Sequence, residues 1–354
     1  MRAKRNPQTC HDLSIAREMT VTLALLLLLA STPARAEQIN LAALHAAAKY
    51  SAAHGGISFL VIQDGRTVLE EYPRGGDAGT PWKIYSGTKA FWCLAALAAA
   101  QEGLIRLDEP VANTIASWQN DPRKSRVTIR QLLDFSCGLE PGFSLHNRDP
   151  GNRDAIAIRL PIVADPGKTF IYGPSPLQVF HEVLKLKLHG QTPRAYLEKR
   201  VLRRLGLGPQ RYLLDRAGNP LLAAGWQLTA RQWAKLGQLV LARGAPVISS
   251  ASLNECWQGS PANPAFAFGW WNNHAAPGGR EFDFEKMLNG KWPSQSWEEA
   301  CLCRDAPSDL IACIGSGYQR LFVIPSLKLI VVRHSRGGTF SDAKFIRLLL
   351  GRER

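Results

Sequence analysis

The chain has 354 residues, 45% of them apolar and 20% charged, and carries a formal net charge of +14. This balance excludes a disordered or collagen-like chain and leaves length for one large domain or two interleaved ones. The charge invites a nucleic-acid reading, but the basic residues are scattered. Their one short cluster, Lys199-Arg200 with Arg203-Arg204, has the spacing of a solvated helix face, so no nucleic-acid partner is expected.

The first segment reads as a leader. Lys4, Arg5 and Arg17 precede the apolar run from Val21 to Ala30, and Ala34-Arg35-Ala36 has the small-x-small pattern of a cleavage site. Residues 1–36 are therefore expected to be a signal peptide, with translation starting at Met1 or Met19. The run is too short to span a bilayer comfortably and no other stretch could span. The mature chain, 37–354, is expected to be soluble, exported and, in a bacterium, periplasmic. An uncleaved N-terminal anchor is the alternative. The leader carries five Lys/Arg and two Asp/Glu, so about +11 remains after cleavage.

An alanine-rich helix is expected over Leu41 to Ala53. Ile57 to Ile62 reads as a strand, Asp64-Gly65 is a hairpin signal, and Arg66 to Tyr72 is the return strand. A loop rich in Gly and Pro leads to Tyr85-Ser86-Gly87-Thr88-Lys89, followed by an apolar helix from Ala90 to Ala100. Further helices are expected at Ile129–Phe135, Pro176–Leu188, Pro193–Leu205 and Thr229–Arg243. Strands return at Leu310–Ile314, Gln319–Ile324 and Leu329–His334, and a last helix, Lys344–Leu350, is capped by Ser341. An early hairpin and late strands imply one sheet built from both chain ends. The fold class is α+β, with a sheet subdomain of about residues 37–82 and 245–354 and a helical subdomain of about 83–244.

Ser86 and Lys89 stand three apart at a helix start, so the amine can lie against the hydroxyl. A serine hydroxyl needs an adjacent base to become a nucleophile, and lysine serves only if burial or positive potential lowers its pKa. About one Ser-x-x-Lys arises by chance in a chain of this length. A second, Ser341-Asp342-Ala343-Lys344, reads as the cap of a surface helix. Of the six cysteines beyond the leader, Cys93 reads as a buried core thiol. Cys256, Cys301, Cys303 and Cys313 crowd the last third, where one or two disulfides are expected in an oxidising compartment. Cys301-Leu302-Cys303 with Cys313 and His274 matches no familiar zinc spacing.

Several ordered stretches carry a resemblance. After Ser86-Gly87-Thr88-Lys89 come Gln101 to Val111, Val127 to Leu139, Pro166-Gly167-Lys168-Thr169-Phe170-Ile171-Tyr172 and Gly225 to Lys235. Together they resemble the serine β-lactamase and penicillin-recognising hydrolase superfamily. The nearest look is to its class C-like branch of esterases, amidases and 6-aminohexanoate-dimer hydrolases. The resemblance covers about residues 50 to 335. It implies that Tyr172 sits beside Ser86 and shuttles its proton, a nearby lysine cation favouring the phenolate. It implies no metal or organic cofactor.

Two departures stand out. The usual Tyr-x-Asn is Tyr172-Gly173-Pro174, with Ser175 offered as a substitute hydrogen-bonding group. The usual Lys-Thr-Gly or His-x-Gly strand is replaced by Ala312 to Gln319. Gly315, Ser316 and Gly317 still offer a backbone N–H that, with that of Ser86, can form an oxyanion hole. No cation stands there for a β-lactam carboxylate, unless Arg320 or Arg333 supplies one, so weak or no β-lactamase activity is expected. Pro174, Ser175, Trp226, Trp271 and Gln319 are candidate pocket residues. Trp270, Trp292 and His274 are further candidates for the cleft wall. The expected function is an exported serine hydrolase of esters or small amides. The alternatives are a silent envelope binding or sensor protein and a peptidase of D-amino peptides.

Overall fold

The computed structural model describes residues 38–288 and 295–353, so the expected leader and Trp292 lie outside the described residues. The described residues form one compact unit.

Helix α1 (Leu41–Ala53) opens on Asn40, whose Oδ1 accepts the Ala42 N–H at 2.7 Å, and it buries Leu44, Ala47, Ala48 and Ser51 along one face. Strands β1 (Gly56–Gln63) and β2 (Arg66–Glu71) form the expected hairpin. Its turn residues Asp64 and Gly65 both take positive φ, as a two-residue hairpin turn requires. β1 is buried along its whole length, whereas β2, at the sheet edge, is half exposed. Strand β3 (Trp82–Lys83) then leads through a single 3-10 turn, Tyr85–Gly87, into helix α2 (Thr88–Gln101), which is buried nearly all round.

Between α2 and residue 241 the chain is helices and short turns, broken by the two-residue strand β4 (Gln227–Leu228) pairing with β3. Helix α3 (Ile129–Leu133) carries a capping box between Thr128 and Gln131, and helix α4 (Ser175–Lys187) starts behind Pro174. The helix expected over Pro193–Leu205 is divided: Pro193–Leu197 is α-helical and Glu198–Leu202 widens to a π turn. Helix α5 (Ala230–Leu241), also boxed by its Thr229 cap, packs on the sheet. A Cβ on Gly237 would stand 2.7 Å from Ile330 Cγ2, so this close approach of helix to sheet needs glycine.

The last third supplies β5 (Phe266–Ala267), β6 (Trp270–Asn272), a small parallel pair β7 (Arg280–Glu281) and β8 (Ala300–Cys301), and helix α6 (Phe284–Leu288). Then follow β9 (Ile311–Gly315), β10 (Gln319–Ile324), β11 (Leu329–Ser335) and helix α7 (Asp342–Leu349), capped by Ser341 as expected. The main sheet is antiparallel in the order β2-β1-β11-β10-β9-β6-β5, so the amino-terminal hairpin pairs directly with the last strand, Val61 facing Val331. Both chain ends build one sheet, as the sequence implies. Helices α1 and α7 pack together, and α5 covers the sheet at β1, β10 and β11.

All six described cysteines are free thiols, which corrects the expected disulfides. All six are buried. The Cys313 thiol donates to Gly87 O at 3.5 Å and the Cys303 thiol to Ala343 O at 3.7 Å. Burial pushes the Cys313 thiol up to about 12.

Candidate active site

The site forms where the 3-10 turn meets β9. A Cβ on Gly315 would fall 2.0 Å from Ile84 O, so only glycine lets the end of β9 lie against the turn that carries Ser86. Tyr85 takes φ 45° there, a left-handed backbone uncommon for a bulky residue, and stays partly exposed. Such strain, held by the surrounding packing, is typical of functional turns.

Lys89 lies one helical step beyond Ser86 and donates to its Oγ at 2.9 Å and to Ala223 O at 2.9 Å. The lysine is 2% exposed, and among the described residues no carboxylate pairs with it. Desolvation disfavours its charged form and pushes its pKa down to about 7. The Nζ stands 4.7 Å from the centroid of the Tyr172 ring, and the Ser86 hydroxyl is hydrogen-bonded to the Tyr172 phenol. The structure thus brings Ser86, Lys89 and Tyr172 together.

The electrostatics differ from expectation at Tyr172. Burial outweighs the hydrogen bond from Ser86 and raises the phenol well above its ordinary value. The neighbouring amine, its own pKa lowered to about 7, is only partly charged near pH 7 and offers reduced charge to hold a phenolate. Tyr172 is therefore a neutral phenol, and Lys89 is the group poised to take a proton.

The other predicted residues separate into two groups. Trp226 lines a cavity of about 340 Å3 beside the turn, together with Tyr85, His146, Leu213 and Leu221. Gln319 ties the β9–β10 turn to β11, its Nε2 donating to Ser335 O at 2.9 Å and its Oε1 accepting from Ser335 N–H at 3.0 Å. By contrast, Trp271 is buried in an aromatic cluster with Phe266, Phe282 and Trp297, 6.5 Å from the Tyr172 ring. Trp270 is also buried, and His274 sits exposed in the loop after β6.

Ser175 is not a substitute for the absent asparagine: it is fully buried and donates to Glu140 O, locking Pro174 and the start of α4 onto the 140–142 segment. Nor do Arg320 and Arg333 replace the missing cation. Arg320 is buried against Asp342, at 2.6 and 3.0 Å, and Glu285. Arg333 is spent on Ser51, His54 O and Tyr318 O. A sheet interior leaves each arginine no path to the cleft.

Two residues were not foreseen. Glu285 on α6 accepts the backbone N–H groups of Gly317 at 3.2 Å and Tyr318 at 2.9 Å, so the Gly317 N–H is already occupied. His146 keeps one edge open to solvent on the cavity wall; crowding and the nearby Lys89 charge push it down to about 4, so its ring is neutral. Neither has a local sequence signal, since each is placed by a distant loop or helix. Glu281, Cys303 and Asp305 lie close enough to share an ion, but Glu281 is paired with Arg304 and Arg347, and Asp305 with Arg347. Two guanidinium groups in that cluster suit ion pairing rather than a metal.

The fold is of the β-lactamase/transpeptidase type, and comparison with known proteins agrees. The Beta-lactamase family model matches residues 41–344, and the chain belongs to that family. Similar solved structures include a proposed 6-aminohexanoate-dimer hydrolase from Bacillus anthracis (TM-score 0.63, 18% identity, 84% of this chain and 78% of that one). Another is EstCE1, a hydrolase with promiscuous acyltransferase activity (TM-score 0.60, 17% identity, 87% and 97% covered). In sequence, the chain is 28% identical over 152 residues to the acyltransferase calJ of Penicillium decumbens. That stretch is 35% of this chain and only 36% of calJ.

Proposed function

We propose that this chain is a serine hydrolase that cleaves an ester or small amide through an acyl-enzyme on Ser86. The observation that carries the reading is the 2.9 Å bond between Ser86 Oγ and a buried Lys89 amine held near neutrality. In its neutral form Lys89 accepts the Ser86 proton as Oγ attacks the carbonyl carbon. The developing oxyanion is received by the backbone N–H groups of Ser86 and Ser316, the Gly317 N–H being held by Glu285. Tyr172, a phenol hydrogen-bonded to Ser86, passes a proton to the leaving group and is recharged from Lys89. Water, or another acceptor, then releases the acyl group. The missing cation beside β9 supports weak or no β-lactam hydrolysis. The leader pattern in residues 1–36 supports export, with the mature chain in a periplasm. Among the described residues no helix is long and apolar enough to cross a membrane.

Intact mass after a fluorophosphonate probe tests the reading. Wild type is expected to gain one adduct, and Ser86→Ala none. The labelling rate should rise with pH through about 7, by about tenfold between pH 6 and 8, as Lys89 loses its proton. Absence of labelling in folded wild type would instead mark a silent binding protein, and a pH-independent rate would remove Lys89 as the base.

Glu285 gives a second test. Glu285→Ala frees the Gly317–Tyr318 turn and is expected to slow labelling and turnover by about ten- to a hundredfold, as for loss of an oriented oxyanion donor. Glu285→Gln, which keeps one acceptor oxygen, should recover part of the loss. Equal rates in all three proteins would show that the turn takes no part.

A further inference from the structure

Arg153 opens the short helix Arg153–Arg159 and is buried, yet its guanidinium is spent on main-chain carbonyls. Nε donates to Leu145 O and Nη2 to Asn147 O, both at 2.9 Å. Nη1 is shared between Leu213 O at 3.3 Å and Asn219 O at 3.4 Å.

These four carbonyls belong to two separate pieces of chain. Leu145 and Asn147 flank His146, at the end of the turn Phe143–His146. Leu213 and Asn219 stand on the two arms of a small hairpin over 213–221. In it the Leu221 N–H bonds Leu213 O at 2.9 Å and the Asp215 N–H bonds Asn219 O at 3.0 Å. Both pieces wall the cavity of about 340 Å3 beside the Ser86 turn, His146 from one and Leu213 and Leu221 from the other. Arg153 does not line that cavity, so it acts through the segments it holds.

The hairpin is tied down along its length. The Arg153 backbone N–H donates to Asp215 Oδ2 at 2.7 Å, and Asp215 Oδ1 accepts the Asn219 N–H at 2.8 Å. Gln178 of α4 donates to Pro220 O at 3.0 Å and to Asp154 Oδ1 at 2.6 Å. The return arm then runs to Ala223, whose carbonyl accepts from Lys89 Nζ at 2.9 Å. A neutral amine has two N–H donors and one lone pair. With one N–H fixed on Ala223 O, the amine is kept from turning and its lone pair can be held on the Ser86 hydroxyl, 2.9 Å away.

We propose that Arg153 is a positioning residue for the base: its guanidinium joins the His146 turn to the 213–221 hairpin, and the return arm carries that fix to the carbonyl that orients Lys89. The kinetic consequence rests on the Ser86 reading above. A merely structural arginine would affect stability and act on every step alike.

The test uses Arg153→Lys, which keeps the charge but loses the planar fork that reaches four carbonyls. Fluorophosphonate labelling of the folded variant at pH 8 is expected to be about ten- to a hundredfold slower than wild type, as for a base displaced by about an ångström. Placed in Lys89→Met, the same substitution should change the residual labelling by less than about twofold, because no amine is left to orient. Equal falls in both backgrounds, or no fall in Arg153→Lys, overturn the proposal. If Arg153→Lys does not fold, Asp215→Ala loosens the same hairpin from its other bond and is read against the same two outcomes. If folded wild type takes no label, the hydrolase reading falls, and NMR titration of His146, assigned with His146→Gln, reads the positioning alone. Lys89 and Arg153 are the charges that act on this ring, which in wild type should stay neutral down to about pH 4. Since Arg153→Lys keeps its charge, release of the turn should raise the midpoint by about one pH unit or more, towards 6.5. An unmoved midpoint removes Arg153 from the role.

Discussion

Lys89→Met is expected to lower the acylation rate by about two to four orders of magnitude while leaving the folded protein at least as stable at pH 7. The rate loss follows from removing the only base within hydrogen-bonding reach of Ser86 Oγ among the described residues other than the Tyr172 phenol, which burial keeps protonated. The stability effect follows from linkage. Lys89 has a pKa near 7 when folded against an ordinary 10.5 when unfolded, so between those values the unfolded chain binds more protons. The group therefore costs nothing above about 10.5. Its cost grows as pH falls towards 7 and is complete below 7. At pH 7 the penalty is on the order of 4 kcal/mol.

Methionine sheds that penalty. It gives up the bonds to Ser86 and Ala223 O, and an underused buried carbonyl costs about 1–3 kcal/mol. The measurement is Tm of both proteins at pH 7 and at pH 10. The variant's advantage should be present at pH 7 and vanish at pH 10. A variant markedly less stable at pH 7 would mean that Lys89 is held as a charged structural partner, contrary to the role assigned to it. Ser86→Ala, with a similar or larger loss of turnover, should leave Tm nearly unaltered, because the removed oxygen is small and Lys89 keeps its bond to Ala223 O.

The second large effect concerns the buried pair behind the β9–β10 turn. Asp342→Ala is expected to destabilise the protein by about 3–5 kcal/mol, since it strands a fully buried guanidinium with only Glu285 to balance it. For a chain of this size that corresponds to a fall of roughly 6–15 °C in Tm. Arg320 also donates to Gly315 O at 2.8 Å and Gln319 O at 3.1 Å, so the same change should loosen the turn that presents Ser316 and slow turnover below the unfolding range. A double-mutant cycle with Arg320→Met separates the terms. Removing both charges should recover much of the stability but not the turn. If Asp342→Ala lowers the unfolding free energy from denaturant titration by less than about 1 kcal/mol, the pair is not the anchor described here.

The hairpin, the late meander and the capped last helix were legible because each is a local pattern: short apolar runs between turns, Asp64-Gly65 at a turn, Ser341 before a helical run. Ser86 and Lys89 were legible for the same reason, being three residues apart on one turn of backbone. Tyr172 became visible only through the ordered resemblance, and the sign of its titration was misjudged. Proximity to a lysine is a pairwise matter, whereas burial, which decides both pKa values, belongs to the whole packed environment. The cysteines of the last third read as disulfide partners by density along the chain, yet all four are buried free thiols.

What the sequence by itself determined about this protein is the early hairpin, the late strands, most of the longer helices and the Ser86–Lys89 pair, because those depend on hydrogen bonds and side-chain faces within one or two turns of backbone. Tertiary structure alone decided that Arg320 and Arg333 face the sheet interior, that Ser175 is a structural lock, and that Glu285 occupies the Gly317 N–H. It also hung the His146 turn and the 213–221 hairpin on one guanidinium, that of Arg153. These outcomes depend on which surfaces the sheet and its helices cover, and no short stretch of residues carries that information.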